Sequence, residues 1–98
     1  MKFSEAVYKI TSKIPRGKVS TYGEIARSLN CKAYRAVGNA LNKNPYAPIV
    51  PCHRVISSNG FIGGFAKGTK AKIKLLKKER IIIKYNKVDL NRYFFRLR

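Results

Sequence analysis

The chain predicts a mainly helical domain with a small β-hairpin, an α/β architecture organised around a helix-turn-helix. Three observations carry this reading. Apolar residues recur at helical spacing in four segments, two of those segments are joined by about three residues, and an Asn-Gly pair stands between short apolar runs. With 98 residues, one domain with one core is expected.

Phe3, Val7, Ile10 and Ile14 recur at spacings of four, three and four behind Ser4, which predicts an amphipathic helix over residues 4–14, N-capped by Ser4 and stopped by Pro15-Arg16-Gly17. Thr21-Tyr22-Gly23-Glu24 fits the capping box and opens a short helix through Leu29, with Ile25, Ala26 and Leu29 inward. Asn30-Cys31-Lys32 makes a turn. Ala33 to Asn42 gives the next helix, burying Val37, Ala40 and Leu41, while Ala33, Ala36 and Gly38 permit another backbone to come close. This pair reads as a helix-turn-helix whose second helix is shaped for a nucleic-acid groove.

Residues 42–48 form a loop by their Asn and Pro content, and lead into Ile49-Val50 and Val55-Ile56, which read as strand-like pairs. Asn59-Gly60 then predicts a hairpin from Arg54 to Ile62. The glycine-rich run from Gly63 to Gly68 lacks the spacing of a phosphate-cradling loop and reads as a pocket wall. Thr69 is expected to cap a last long helix to Arg80, with Ile73 and Leu76 inward and Lys70, Lys74, Lys77 and Lys78 outward. Residues 1–81 are expected to form the domain; Ile81 onward reads as a short strand or an ordered tail, and residues 82–98 as a basic aromatic segment that docks on the domain or touches nucleic acid.

Charge narrows the function. The chain has 22 Lys and Arg against four carboxylates, a formal net charge of +18, so a polyanionic partner is expected, and nucleic acid fits best. Four scattered acids (Glu5, Glu24, Glu79, Asp89) argue against paired-carboxylate hydrolysis and against acidic two-metal sites. One His and two Cys without zinc-ligand spacing give no readable metal site. No secretory apolar core opens the chain, and Ile81-Ile82-Ile83 is too short to span a bilayer, so a cytoplasmic protein with two free thiols is expected.

The chemistry concentrates at Pro51-Cys52-His53-Arg54-Val55, where the strongest potential nucleophile stands beside the only histidine. Cysteine reacts as thiolate, and an adjacent imidazole or cation raises the ionised fraction near neutrality.

Taken together, several runs resemble the O6-alkylguanine-DNA alkyltransferases: Val19-Ser20-Thr21-Tyr22-Gly23-Glu24-Ile25-Ala26, Arg35-Ala36-Val37-Gly38-Asn39-Ala40, Asn44-Pro45, Ile49-Val50-Pro51-Cys52-His53-Arg54-Val55, and Leu75-Leu76 with Glu79. The resemblance covers residues 3–81 and implies a winged-helix-like catalytic and DNA-binding domain. It further implies repair of double-stranded DNA by base flipping and single-turnover transfer of the alkyl group from O6-alkylguanine, with O4-alkylthymine as a further substrate, to Cys52. No cofactor is implied.

By the same resemblance His53 acts through a water as base for Cys52, and Glu79 orients the imidazole and favours its charged form. Arg35 fills the space of the flipped base, Tyr22 lies by the flipped nucleotide, and Asn44 braces the turn bearing Cys52. The carbonyls of Cys52 and Val55 receive the guanine amino group, Phe65 stacks on the base, and the Ala66 amide donates to O6. Phe65, Ala66 and Lys67 depart from the Tyr, Ser and small residue usual in the family. A monomer is expected, with weak self-association through the surface that an N-terminal domain covers in other members. The alternative reading is a relative that recognises alkylated DNA without repairing it and recruits another pathway, although such relatives usually lack the cysteine.

Overall fold

The computed structural model describes residues 2–46, 49–63 and 68–97. Helix α1 runs Phe3–Thr11 and enters from extended Lys2, which takes the N-cap position without a side-chain bond, so Ser4 lies in the first turn and is not the cap. It stops three residues short of Ile14. The Thr11 and Ser12 hydroxyls bond back to the carbonyls of Val7 (2.7 Å) and Tyr8 (2.8 Å), and two tight turns follow, Lys13 N–H to Ile10 and Ile14 N–H to Thr11. Ile14 reaches the core through those turns, 1 % exposed.

Strand β1 (Ser20–Thr21) passes directly into α2 (Tyr22–Ser28), where the Thr21 Oγ1 accepts the Glu24 N–H at 3.0 Å as the capping box requires. Asn30, in the left-handed region at φ 57°, turns the chain toward α3 (Tyr34–Asn42). Val37, Ala40 and Leu41 are buried as their spacing predicts, whereas Ala33, Tyr34, Arg35, Ala36 and Asn39 face solvent. Helices α1, α2 and α3 pack around one core cluster of Val7, Ile14, Ile25, Val37, Leu41, Cys52 and Val55.

The small sheet is paired differently from the expected 54–62 hairpin. Strand β2 (Val55–Ile56) lies parallel to β1, Ser20 opposite Val55 and Thr21 opposite Ile56. Val55 and Ile56 are both fully buried, as a strand covered on both faces should be. The Asn59-Gly60 turn does form, closed by Ser57 N–H to the Phe61 carbonyl, but Phe61 bridges antiparallel to Lys87. Gly60 is required there: its φ is +90°, and a Cβ would come within 2.8 Å of the Val88 carbonyl.

Helix α4 runs Thr69–Lys78 and starts from Gly68, not from Thr69 as cap. Its end decides the site. Arg80 adopts φ 65°, its N–H bonds the Lys77 carbonyl, and the Ile81 N–H bonds the Leu76 carbonyl, which together make a Schellman motif with Glu79 at the C-cap.

Residues 82–97 pack on the rest of the chain. Strands β3 (Ile83–Lys84) and β4 (Lys87–Val88) form an antiparallel hairpin whose Tyr85 and Asn86 both have positive φ, the signature of a type I′ turn. Short helix α5 (Leu90–Tyr93) is capped by Asp89 Oδ1. Val88 and Tyr93 join Val19, Ile56, Ile62, Leu76 and Ile81 in a second core cluster. The chain then pairs with Val19, just before β1, through Phe95 N–H to the Val19 carbonyl at 2.7 Å, and the Leu97 N–H meets Glu24 Oε2 at 2.8 Å.

Candidate functional site

Cys52 opens a single 3₁₀ turn, Cys52–Arg54, held between Val50 and β2. The turn is fastened from both sides. The Cys52 N–H bonds the Val50 carbonyl at 2.8 Å, and the Asn44 side-chain amide donates to that same carbonyl at 2.9 Å, while Asn44 Oδ1 accepts the Tyr46 N–H at 2.9 Å. Asn44→Ala removes one donor and one acceptor at a half-buried position and is expected to cost ~1–2 kcal/mol, read as a shift in urea midpoint at unchanged slope.

On the far side of the turn His53 and Arg54 converge on Glu79. His53 Nε2 lies 2.8 Å from Glu79 Oε2, Arg54 Nη2 donates to Oε2 at 2.8 Å, and Arg54 Nε donates to Oε1 at 2.9 Å. Arg54 Nη1 also donates to the Ile14 carbonyl at 2.9 Å, tying the turn to the segment after α1. The Gly17 N–H adds a longer contact to Glu79 Oε1 at 3.4 Å. One carboxylate thus accepts from imidazole, guanidinium and backbone together.

Burial outweighs Glu79 here, although Glu79 favours the charged imidazole, in the direction the resemblance implies. Burial pushes His53 below its ordinary value; Glu79 works against this, and the neighbouring Arg54 and Lys72 charges work with it, so the neutral imidazole is favoured over the charged one. Arg54 has already claimed much of the charge of Glu79. The Glu79 carboxyl is lowered: burial opposes ionisation, but hydrogen bonds from Arg54 and His53 outweigh it. A neutral His53 that donates from Nε2 to Glu79 keeps Nδ1 as an acceptor.

Cys52 is 8 % exposed, and both cysteines are free thiols. Tyr22, the first residue of α2, is half-buried with its ring against Gly38 of α3, where a Cβ would touch it at 3.9 Å. Its phenol is raised, first by burial and then by the charge of Cys52, which places the two side chains in one electrostatic neighbourhood. A hollow of about 270 Å³ lined by Tyr22, Gly23, Tyr34, Ser57 and Ser58 lies beside it. Arg35 is exposed one residue into α3, and Val55 is fully buried in β2. Phe65 and Ala66 lie outside the described residues. Among the described residues no group of three or more His, Cys, Asp or Glu side chains is placed to hold a metal ion.

Two charged residues of this site escape a reading of spacing alone, Arg54 and Lys72. Lys72 is fully buried, with Nζ 3.5 Å from the Tyr22 hydroxyl. Its signal was its place four residues before Leu76, on the inward stripe of α4.

These elements define a small helix-turn-helix domain with a buried thiol, imidazole and carboxylate gathered where the 3₁₀ turn meets the end of α4. Residues 2–81 match the 6-O-methylguanine DNA methyltransferase DNA-binding domain, and the chain belongs to that family. It is 55 % identical over 78 residues to a methylated-DNA–protein-cysteine methyltransferase of Methanosarcina mazei, covering 79 % of this chain and 49 % of the relative. The corresponding protein of Saccharolobus solfataricus is 53 % identical over 81 residues, 83 % of this chain and 52 % of the relative. The chain therefore spans about half the length of the curated relatives it matches.

Two solved structures extend the comparison. The Mycobacterium tuberculosis OGT bound to DNA superposes with a TM-score of 0.78 at 43 % identity, covering 82 % of this chain and 50 % of that one. Atl1 of S. pombe, bound to damaged DNA containing O6-carboxymethylguanine, superposes with a TM-score of 0.85 at 34 % identity and covers 98 % of this chain and 99 % of its own. That match includes the tail.

Proposed function

We propose that this chain is a direct-reversal repair unit that moves an alkyl group from O6 of guanine in double-stranded DNA onto Cys52. The observation that supports it most is the clamped turn: a buried thiol set next to a neutral histidine, on a helix-turn-helix domain with a net charge of +18.

The proposed steps join these positions to the roles the resemblance implies. The exposed N-cap Ala33 and the exposed Ala36 of α3 are small and let the helix backbone approach a groove, and exposed Arg35 fills the gap left when the alkylated guanine swings out. Tyr22 lies by the flipped nucleotide. The Cys52 proton leaves through a water to His53 Nδ1, whose ring Glu79 and Arg54 hold in place. The thiolate Sγ then attacks the alkyl carbon; the S–C bond forms, the C–O6 bond breaks with its electron pair going to O6, and the guanine anion so formed takes up one proton from solvent as it departs, while His53 returns the Cys52 proton to solvent. The carbonyls of Cys52 and Val55 receive the guanine amino group, Phe65 stacks on the ring, and the Ala66 amide donates to O6. O4-alkylthymine presents the same alkyl–oxygen bond and is the second substrate. The thioether is chemically inert, so each chain reacts once, as a monomer on its lesion, and the step consumes no cofactor.

The test is a duplex carrying one O6-methylguanine, mixed with the protein and followed by intact and peptide mass spectrometry. One methyl per chain, on Cys52, is expected. A second reading has its own support: the full-length likeness to Atl1, a protein seen holding damaged DNA. Tight, lesion-selective binding with Cys52 left unmodified would establish that recognition role and reject transfer.

A further inference from the structure

Lys72 is the most unusual residue of the interior. It is fully buried, on the inner face of α4, whereas its neighbours Lys70, Lys74, Lys77 and Lys78 are exposed. A buried ammonium carries a large desolvation penalty that mere packing would not call for. Its Nζ lies 3.5 Å from Tyr22 Oη and 5.8 Å from the centre of the Tyr22 ring, and a Cβ on Gly63 would come within 4.0 Å of both Lys72 Nζ and the Tyr22 ring. Lysine, tyrosine and the backbone at Gly63 therefore meet at one point, within the electrostatic reach of Cys52.

An ammonium has three hydrogens and no lone pair. Toward Lys72 the Tyr22 oxygen can only accept, and its own hydrogen is forced to point elsewhere. On the reading that Tyr22 lies by the flipped nucleotide, we infer that Lys72 is a positioning residue, whose ammonium turns the Tyr22 hydroxyl hydrogen outward and fixes it as a donor to that nucleotide. Here, as guanine departs carrying negative charge, an outward O–H already aligned on it stabilises the leaving group without reorganisation.

The charge state of Lys72 sets the range in which this works. Burial lowers its pKa to about 8, and a Cys52 thiolate opposes the fall. Among the described residues the titratable groups that face it are the Tyr22 phenol from α2 and the Cys52 thiol and His53 imidazole from the 3₁₀ turn; Glu79, on its own helix, is engaged by His53 and Arg54. Above that pH the neutral amine gains a lone pair, accepts the Tyr22 hydrogen and draws it inward.

The experiment is a pH series of single-turnover methyl transfer from the O6-methylguanine duplex, with the full chain and its Lys72→Met and Tyr22→Phe variants. Wild type is expected to slow as pH rises through about 8. Lys72→Met should melt at an equal or higher temperature, transfer about 10-fold or more slowly, and lose that alkaline decline. Tyr22→Phe should lose the decline as well, and the double variant should be no slower than the slower single one. Transfer by Lys72→Met within about twofold of wild type with the decline intact overturns the inference. Should Lys72→Met fail to fold, the other two proteins decide: the same alkaline decline in wild type and Tyr22→Phe rejects it. If wild type binds the lesion but never alkylates Cys52, the same series is read as lesion affinity by fluorescence anisotropy, so failure of transfer and failure of this inference are separate results.

Discussion

Cys52→Ala is expected to abolish alkyl uptake completely while leaving lesion affinity and melting temperature close to wild type. The sulfur is the acceptor in the proposed reaction, so no neighbour can substitute for it. The only other thiol, Cys31, sits in the turn between α2 and α3 and packs against the first core cluster. Binding, in the proposed reading, rests on the exposed face of α3 and on the net charge of +18, neither of which the substitution touches. Deleting a small buried sulfur leaves only a small cavity and costs on the order of 1 kcal/mol. Cys52→Ser is the sharper control, since it keeps the volume and replaces the thiol by a hydroxyl that stays protonated near neutrality. Peptide mass spectra and anisotropy titrations on the same samples check both halves. A methyl recovered on Cys31, or anywhere on the Cys52→Ala chain, would reject Cys52 as acceptor.

Much of this architecture could be read from the order of residues, and what could not was of one kind. The four main helices follow from apolar spacing, because Val7, Ile25, Val37 and Leu76 each sit on an inward stripe that a helix must bury. The caps at Ser4 and Thr69 failed, because a cap also needs an extended or left-handed backbone, which Lys2 and Gly68 supply instead. Strand pairing failed for a related reason. Val55-Ile56 signals a buried strand, but its partner Ser20-Thr21 is far away in sequence, and nothing in local periodicity names it. The hairpin after Ile81 was hidden by Tyr85 and Asn86, which take positive φ without the glycine that usually announces such a turn. In the site, Cys52 and His53 stood out through scarcity, whereas Glu79 was marked only by the family resemblance, since a carboxylate among helical lysines otherwise reads as an ordinary surface acid. Arg54 and Lys72 were lost among 22 basic residues, since only the fold shows which cations are buried and what they touch.

The second large effect is expected at Glu79. Glu79→Leu leaves the Arg54 guanidinium, which is 17 % exposed, without its carboxylate, and removes the partner of His53 Nε2 at the same stroke. Breaking an ion pair this far from water costs ~3–5 kcal/mol, mostly because one charge is stranded. For a chain of this size that is a large share of total stability, and at pH 7 urea denaturation should show it. The dependence on pH distinguishes this cause from simple loss of packing. The folded-state pKa of Glu79 is lowered, so its contribution is present above the ordinary carboxylate value of 4.5 and is lost as pH falls through the lower folded value. His53 acts in the same direction: burial keeps it neutral while the unfolded chain takes up a proton near 6.5, so stability also falls as pH drops below 6.5. Wild type should therefore weaken in two acid steps, the first from His53 and the second from Glu79. In Glu79→Leu the second step should vanish, and the gap to wild type should close below pH 4.5. Glu79→Gln, which keeps the shape and can still accept from Arg54, should fall between the two at pH 7. If the gap between wild type and Glu79→Leu stays constant from pH 7 into that acid range, the carboxylate charge is not what fastens the cysteine turn.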